Sequence, residues 1–484
     1  MCKHTGKIKN WISGFIFASF IFMCIFYTVK DFAFAFNDDT NQLVMFFFQD
    51  KYIPISNRLD FWSARFLPMQ FFDYNILPLL GFTSKNIESA VPVFMMLKFL
   101  LLIALFFLVF KEINIYTKTK FNFSKACFSI LSLAISANFL FVILYPSFSE
   151  ITQGIFVLLF FLFMLKAYRT GKRRYFIISL FSAIYSMYMK ETMFVIYFAF
   201  AMTELLFDKR LNKRQKIFNY ALIANCVIFL LLYYFIVFIN RNDIYPEIEP
   251  FSISEIFAIL KSEWYMNFII LISAYRGIRI LFFKDRKYIL FDSILFAGAS
   301  YGISYIILGA KMKWYYVISL YIFAINLYQF EFSKKIYSCI IYFLLSIAIV
   351  FGVLKNNHDN YWHIKSRKNT IWIRELVRNK RIYGLTQSPK NKLEDYCWDD
   401  PMSSFTCWNY FTIAEYVKYY SKSYIQFGNN KLLQKAINDG KADFIFIHRR
   451  LIDSNYPTLN LKNYKFIIEI NGVNIYQVKN NTVL

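Results

Sequence analysis

Along most of this chain hydrophobic positions do not alternate with polar ones; they run on. Apolar stretches of about 17–22 residues are long enough to cross a hydrocarbon core of roughly 30 Å as a helix. They fall near 11–29, 91–110, 126–145, 151–167, 175–189, 193–207, 217–239, 264–283, 288–309, 314–330 and 336–354. The pattern predicts a polytopic α-helical membrane protein with about eleven transmembrane helices. Two segments break it. From about Lys30 to Ala90, apolar clusters (Leu43 to Phe48, Phe71-Phe72, Ile76 to Leu80) alternate with polar stretches, as in short helices lying in the membrane interface. After about Lys355 the chain turns polar. Strands are predicted over Arg381–Thr386 and Asp443–His448, helices over Ile413–Tyr424 and Lys431–Asn438, the latter stopped at Gly440. A hairpin is predicted from 465–470 and 473–478 around Asn471-Gly472. The expected organisation is a membrane domain over 1–354, including the long first loop over 30–90, and a small α/β domain over 355–484.

Composition agrees. Apolar residues make up 57% and charged ones 18%, against roughly 25% charged in soluble domains, so a string of soluble domains, a disordered chain and a disulfide scaffold are all excluded. The net charge of +24 would fit a nucleic-acid partner if it were spread over one face. Instead it collects in alternate connections: Lys3, Lys7 and Lys9; Lys111 to Lys125; Lys166 to Arg174; Lys209 to Lys216; Lys284 to Lys287; Lys334 and Lys335. These hold about 22 basic residues, against about five in the opposite short connections (Lys190, Arg241, Lys261, Lys311, Lys313). The bias is a topology signal: N-terminus cytoplasmic, C-terminus outside, no nucleic acid. The first apolar stretch lacks a small-residue cleavage site before Lys30 and reads as a retained anchor.

Cysteines follow the same division. Cys2, Cys24, Cys127, Cys226 and Cys339 lie on the cytoplasmic side or in spans, whereas Cys397 and Cys407 fall in the external domain, where an oxidising compartment favours a structural disulfide. The bland alternative is two buried thiols. No Cys/His spacing matches a zinc site, and four histidines leave little for metal binding; no metal or other cofactor is expected, though a divalent ion is not excluded.

Ionisable residues that look out of place gather at the expected outer ends of the spans. Asp38 and Asp39 follow the first span. As adjacent carboxylates near the interface they suit a general base or a site for sugar hydroxyls; equally, they suit a polar turn capping the next helix. Arg65, set amid aromatics in Ser63-Ala-Arg65-Phe-Leu-Pro68, fits phosphate binding or simple snorkelling. Lys190 and Glu191 occupy a very short outer connection, as an anion-binding lysine with its orienting acid or as a self-satisfied cap. Glu150 sits at a neighbouring outer junction. Lys311 and Lys313 break the positive-inside pattern beside Trp314, as phosphate ligands or as part of an aromatic-belt anchor. Mid-span charges, expected of pumps and carriers, are few: Lys98 and Glu204 near span ends, Asp292 within one.

Together, the inside N-terminus, the acidic pair soon after the first span, the interfacial segments and "RF-x-P" element of the first loop, the Lys190-Glu191-Thr192 junction and an external α/β tail resemble the GT-C glycosyltransferases. Among these the phage-type O-antigen glucosyltransferases of serotype conversion are most similar. The resemblance implies an inverting transfer of a sugar, glucose by preference, from undecaprenyl phosphate to a periplasmic glycan acceptor such as O-antigen. It implies a bacterial inner-membrane location, and partnership with a carrier-charging glycosyltransferase and a flippase. Asp38 or Asp39 would take the place of the family's first-loop catalytic carboxylate. Arg65, Lys190, Lys311 and Lys313 would meet the lipid phosphate, with Glu191 and Glu150 beside them. The alternatives are a polysaccharide polymerase, which would carry its bulk in large loops between spans, and a lipid-linked sugar flippase, which would line a path through the bundle with polar residues. A reporter fused after Tyr361 is expected to be active outside the cytoplasm; activity inside would reverse the topology.

Overall fold

The computed structural model describes residues 2–29, 68–83, 86–136, 149–239, 253–307, 313–329, 375–385, 424–428, 430–448, 459–470 and 473–479, with short pieces at 52–53, 59–60, 65–66, 139, 142–143 and parts of 346–373. Two compact units result. One comprises Met1–Val29, Pro54–Tyr74 and Pro92–Asp359; the other comprises Lys30–Ile53, Asn75–Val91 and Asn360–Leu484.

The helices are α1 (Cys2–Val29), α2 (Ile87–Thr117), α3 (Phe123–Leu131), α4 (Glu150–Thr170), α5 (Arg173–Met187), α6 (Phe194–Phe207), α7 (Lys213–Tyr233), α8 (Ile253–Ser262), α9 (Trp264–Phe282), α10 (Ile289–Ile307) and α11 (Val317–Gln329). Five stretches among the described residues are long and apolar enough to cross a membrane: Ile87–Thr117, Glu150–Thr170, Lys213–Val237, Tyr265–Phe282 and Ile289–Ile307. Trp11–Phe26, Phe123–Ile135 and Val317–Gln329 are shorter apolar helices. The stretch expected over 336–354 lies mostly outside the described residues. In the first long loop, the interfacial pattern over Ile76–Leu80 corresponds to a single helical turn, Ile76–Leu79, preceded by a 3-10 turn, Phe72–Asn75. A short antiparallel ladder, β1 (Leu59–Asp60) on β2 (Arg65–Phe66), was not legible in the sequence.

Local chemistry sets several helix ends. Asn122 caps α3 by accepting the Lys125 N–H at 3.0 Å. Asn212 and Gln215 form a reciprocal capping box at the start of α7, and Gly171, at φ 67°, stops α4 in the left-handed conformation. Within the bundle, α4 and α10 are the inner helices, with 72% of their apolar windows buried, against 22% for the stretch containing α7 and 28% for α9. Small residues let the inner helices meet. A Cβ on Gly154 of α4 would run into the ring of Tyr321 on α11 and one on Gly298 of α10 would lie 2.7 Å from Ile322 Cγ2. Ser319 Oγ donates to the Gly298 carbonyl at 2.9 Å, closing the same seam with a hydrogen bond.

The second unit holds a five-stranded sheet of β3 (Arg381–Leu385), β4 (Tyr424–Gly428), β5 (Phe444–His448), β6 (Tyr464–Ile470) and β7 (Val473–Val478), in the order β4-β3-β5-β7-β6. β3 runs parallel to both β4 and β5, while β7 is antiparallel to β5 and β6. Between β4 and β5 comes α12 (Asn430–Asn438), whose Leu433, Ala436 and Ile437 pack on Ile382, Ile445 and Ile475; a parallel pair needs such a crossover. The expected strands, second helix and hairpin match these elements within a residue or two. Residues 413–423 of the other expected helix lie outside the described residues. Its last residue, Tyr424, opens β4, where it pairs with Arg381 across the ladder rather than ending a helix.

At the head of this sheet Arg381 and Asp443 tie β3 to β5. The Arg381 backbone N–H donates to Asp443 Oδ2 at 2.8 Å and its guanidinium reaches Oδ1 at 3.3 Å. Burial pushes the Asp443 carboxyl up, but the Arg381 side chain and backbone outweigh it and hold the pKa below the usual 3.8. A depressed carboxyl stabilises the fold above its unfolded pKa, and that contribution disappears as pH falls through the folded value. Asp443→Asn is therefore expected to speed hydrogen exchange of the β3 and β5 amides at pH 7, with the difference from wild type shrinking as pH drops below about 3.9.

Candidate functional site

The first unit has two chemically distinct ends. At one, the connections after α4, α6 and α9 are basic and interlocked. Arg169 pairs with Glu112 at 2.7 Å. Arg214 donates to the Gly171 carbonyl at 2.6 Å, and Arg276 binds Asp292 in bidentate fashion at 2.7 and 2.8 Å. Arg276 also meets Asp285 at 3.0 Å, holding that carboxyl below its usual range. The connectivity puts the start of α4, the end of α5, the start of α6, the end of α10 and the start of α11 at the opposite end, where the candidate site lies.

Two buried ion pairs dominate it. Lys190, between α5 and α6, is 5% exposed and pairs with Glu150, 2% exposed, at the first residue of α4. The ammonium lies 4.0 Å from the centroid of the Tyr315 ring and 5.7 Å from that of Tyr305. Those two rings stack at 4.9 Å, and Thr192 donates to the Tyr305 hydroxyl. Burial pulls the Lys190 pKa down, but the Glu150 carboxylate outweighs it, so the net shift is upward and the ammonium keeps its proton at neutral pH.

The second pair joins Asp73, in the 3-10 turn of the first loop, to Lys98 of α2 at 2.9 Å. Thr152, two residues beyond Glu150 on α4, donates to the same Asp73 Oδ2 at 2.9 Å, and Lys98 reaches Thr152 at 3.3 Å. Lys98 also covers the Tyr74 ring at 4.1 Å. The turn that presents Asp73 is built around Phe71, 1% exposed and at φ 65°, a conformation rare for bulky residues and a mark of local strain. The Met69 N–H fastens it to the Tyr188 carbonyl at the end of α5, at 3.1 Å. Nearby, Glu263 opens α9 at 1% exposure and accepts from Ser136 at 2.9 Å, while the Tyr265 hydroxyl donates to the Tyr316 carbonyl at 3.1 Å.

Of the residues singled out in the sequence, the structure brings Lys190 and Glu150 into contact. The acid on Lys190 is thus Glu150, forty positions away, while Glu191 begins the next 3-10 turn, Glu191–Met193. Asp38, Asp39, Lys311, Cys397 and Cys407 lie outside the described residues, as do the side chains of Arg65 and Lys313. Backbone places Arg65 in β2 and Lys313 at the head of the 3-10 turn Lys313–Tyr316. The described cysteines Cys24, Cys127 and Cys226 are free and buried. Among the described residues no group of three or more His, Cys, Asp or Glu could hold a metal ion. Asp73, Thr152 and Glu263 were missed in the sequence. A lone lysine within the apolar run 91–110 was the available signal, because Lys98 so placed requires a carboxylate partner.

No protein-family model matches the chain, and comparison with curated protein sequences gives no match. Solved structures do share its fold. ArnT from Cupriavidus metallidurans bound to undecaprenyl phosphate superimposes with a TM-score of 0.51 at 10% identity, covering 97% of this chain and 98% of that one. The apo state of the same protein gives 0.53 with the same identity and coverage. The likeness spans both chains nearly end to end and establishes an ArnT-like fold.

Removing one partner of a buried ion pair strands the other charge at a cost of about 3–5 kcal/mol, while removing both is far milder. Lys190→Met and Glu150→Gln are each expected to lower thermal stability in detergent by that amount, and the double variant to recover most of it. Additive losses in this double-mutant cycle would show that the two groups are not coupled.

Proposed function

We propose that this protein is a GT-C glycosyltransferase that moves a sugar from a polyprenyl-phosphate carrier to a glycan acceptor on the non-cytoplasmic side of the membrane. The observation that carries the proposal is the buried network of carboxylates, lysines and tyrosines at the end of the bundle away from the basic connections, in a fold shared along its whole length with a protein solved bound to undecaprenyl phosphate. The full assignment is eleven crossings with the N-terminus in the cytoplasm and the C-terminal α/β domain in the periplasm of a bacterial inner membrane. The donor is an undecaprenyl-phosphate sugar, glucose by preference, and the acceptor a glycan such as O-antigen. The resemblance to the phage-type O-antigen glucosyltransferases supports the finer part of this assignment.

The chemistry asks for three things. An acceptor hydroxyl must lose its proton as it attacks the anomeric carbon, the anomeric centre inverts, and the departing phosphate needs cationic donors. In this proposal Asp38 or Asp39 is the base. The phosphate is met by Arg65, Lys190, Lys311 and Lys313. Lys190 is suited to this because Glu150 keeps it charged while leaving N–H donors beyond the one committed to the ion pair. Glu150 and Lys190 cancel, as do Asp73 and Lys98, so the surplus positive charge for a phosphate must come from the other basic residues. A lipid monophosphate leaves with less charge than a nucleotide diphosphate, within reach of side-chain cations.

Transfer assays in membranes supplied with undecaprenyl-phosphate sugar test the base. At least one of Asp38→Asn and Asp39→Asn is expected to lose about 10²–10⁴-fold in rate. Full activity in both would remove the first-loop acids from the chemistry.

A further inference from the structure

Among the described residues, Asp73 is bonded through one of its carboxylate oxygens only. Oδ2 accepts from Lys98 Nζ and from Thr152 Oγ1, each at 2.9 Å. No hydrogen bond reaches Oδ1 from the described residues, and the side chain keeps 15% of its surface accessible. Three residues earlier on the same turn, Gln70 is 6% exposed and its Oε1 has no hydrogen-bond partner. A buried acceptor is rarely left so; beside the accessible Oδ1 of Asp73 on the same turn, it calls for a ligand that brings donors.

The charge of the site restricts what that ligand is. Asp73 and Lys98 neutralise each other, and the Tyr74 face is already covered by Lys98. An anionic group would meet two acceptors, the Asp73 carboxylate Oδ1 and Gln70 Oε1, an arrangement that repels it. A neutral hydroxyl fits: it donates to Oδ1 in a charge-assisted bond without disturbing the pair. Lys98 stands eleven residues into α2, roughly 16 Å from its first residue at 1.5 Å per residue. Both partners of Asp73, Lys98 of α2 and Thr152 of α4, belong to the helical bundle, so a hydroxyl-rich group meeting Asp73 sits against these helices, as a sugar held on a membrane-anchored carrier would.

We infer that Asp73 is a sugar-binding carboxylate whose Oδ1 accepts a hydrogen bond from a hydroxyl of the monosaccharide on the lipid donor. Lys98 and Thr152 are positioning residues that fix the plane of its carboxyl group. This rests on the proposed donor class and adds to it a residue that reads the sugar rather than the phosphate. Lys98 and Thr152 both need an acceptor, so in Asp73→Asn the amide oxygen takes the Oδ2 position and the NH2 replaces Oδ1. An acceptor facing the sugar becomes a donor.

The test measures binding of full-length protein in nanodiscs to bare undecaprenyl phosphate and to undecaprenyl phosphate carrying glucose, galactose or N-acetylglucosamine. Wild type is expected to bind at least one sugar-bearing carrier about tenfold or more tighter than the bare one, the value of one charge-assisted hydrogen bond. Asp73→Asn should lose that margin while holding its affinity for bare carrier. The variant Asp73→Asn/Lys98→Met, which leaves no unpaired charge, should do the same and guards against an effect of misfolding. If both variants keep the margin, or lose bare and sugar-bearing carrier equally, the inference is overturned and the donor class stands. If wild type binds none of the sugar-bearing carriers better than bare undecaprenyl phosphate, Asp73 reads no sugar. If it binds no carrier at all, the donor class falls as well.

Discussion

Buried charge must be neutralised in place, and that constraint organises the helical unit. Taking an ammonium or carboxylate out of water costs several kcal/mol, recovered only with a partner in good geometry. Each pair therefore draws its members from separate stretches of chain. Glu150 on α4 meets Lys190 beyond α5; Asp73 in the first loop meets Lys98 on α2; buried Glu112 of α2 meets Arg169, exposed at the end of α4; Arg276 of α9 meets Asp292 of α10. Apolar packing alone would tolerate helices turned or slid past one another, since lipid and Phe side chains are alike in polarity. The ion pairs reject such arrangements, because a small slip would strand two charges at once.

α4 shows how this links fold to chemistry. Its first turn carries Glu150 and Thr152, each holding a different partner, and its last turn carries Arg169. One inner helix thus fixes the level of the polar site and of the basic rim at the other end. The tyrosines around Lys190 serve the same arrangement: their faces offset part of the ammonium's lost hydration while shielding its bond to Glu150 from competing water.

Much of this was legible in the sequence where the signal is local. Apolar run length located α2, α4, α7, α9 and α10, the five described stretches long and apolar enough to cross a membrane, and the local patterns around Gly440 and Asn471-Gly472 located β5, α12, β6 and β7 within a residue or two. What escaped depends on contacts between distant residues. Glu191, adjacent to Lys190, looked like its natural partner, yet adjacent residues need not face each other and the carboxylate came from position 150. Asp73 looked like a polar interruption in an aromatic loop, because its meaning comes from a lysine 25 residues away. β4 began where a helix was expected to end: the periodicity over Ile413–Tyr424 says nothing of the parallel ladder that claims Tyr424.

The hydrogen at position 154 has a mechanical consequence. With the Tyr321 ring set against the α4 backbone, any side chain at 154 would wedge α4 away from α11. The displacement would fall four residues from Glu150 and two from Thr152, so the closeness of these two helices sets the height at which α4 offers both groups to their lysines.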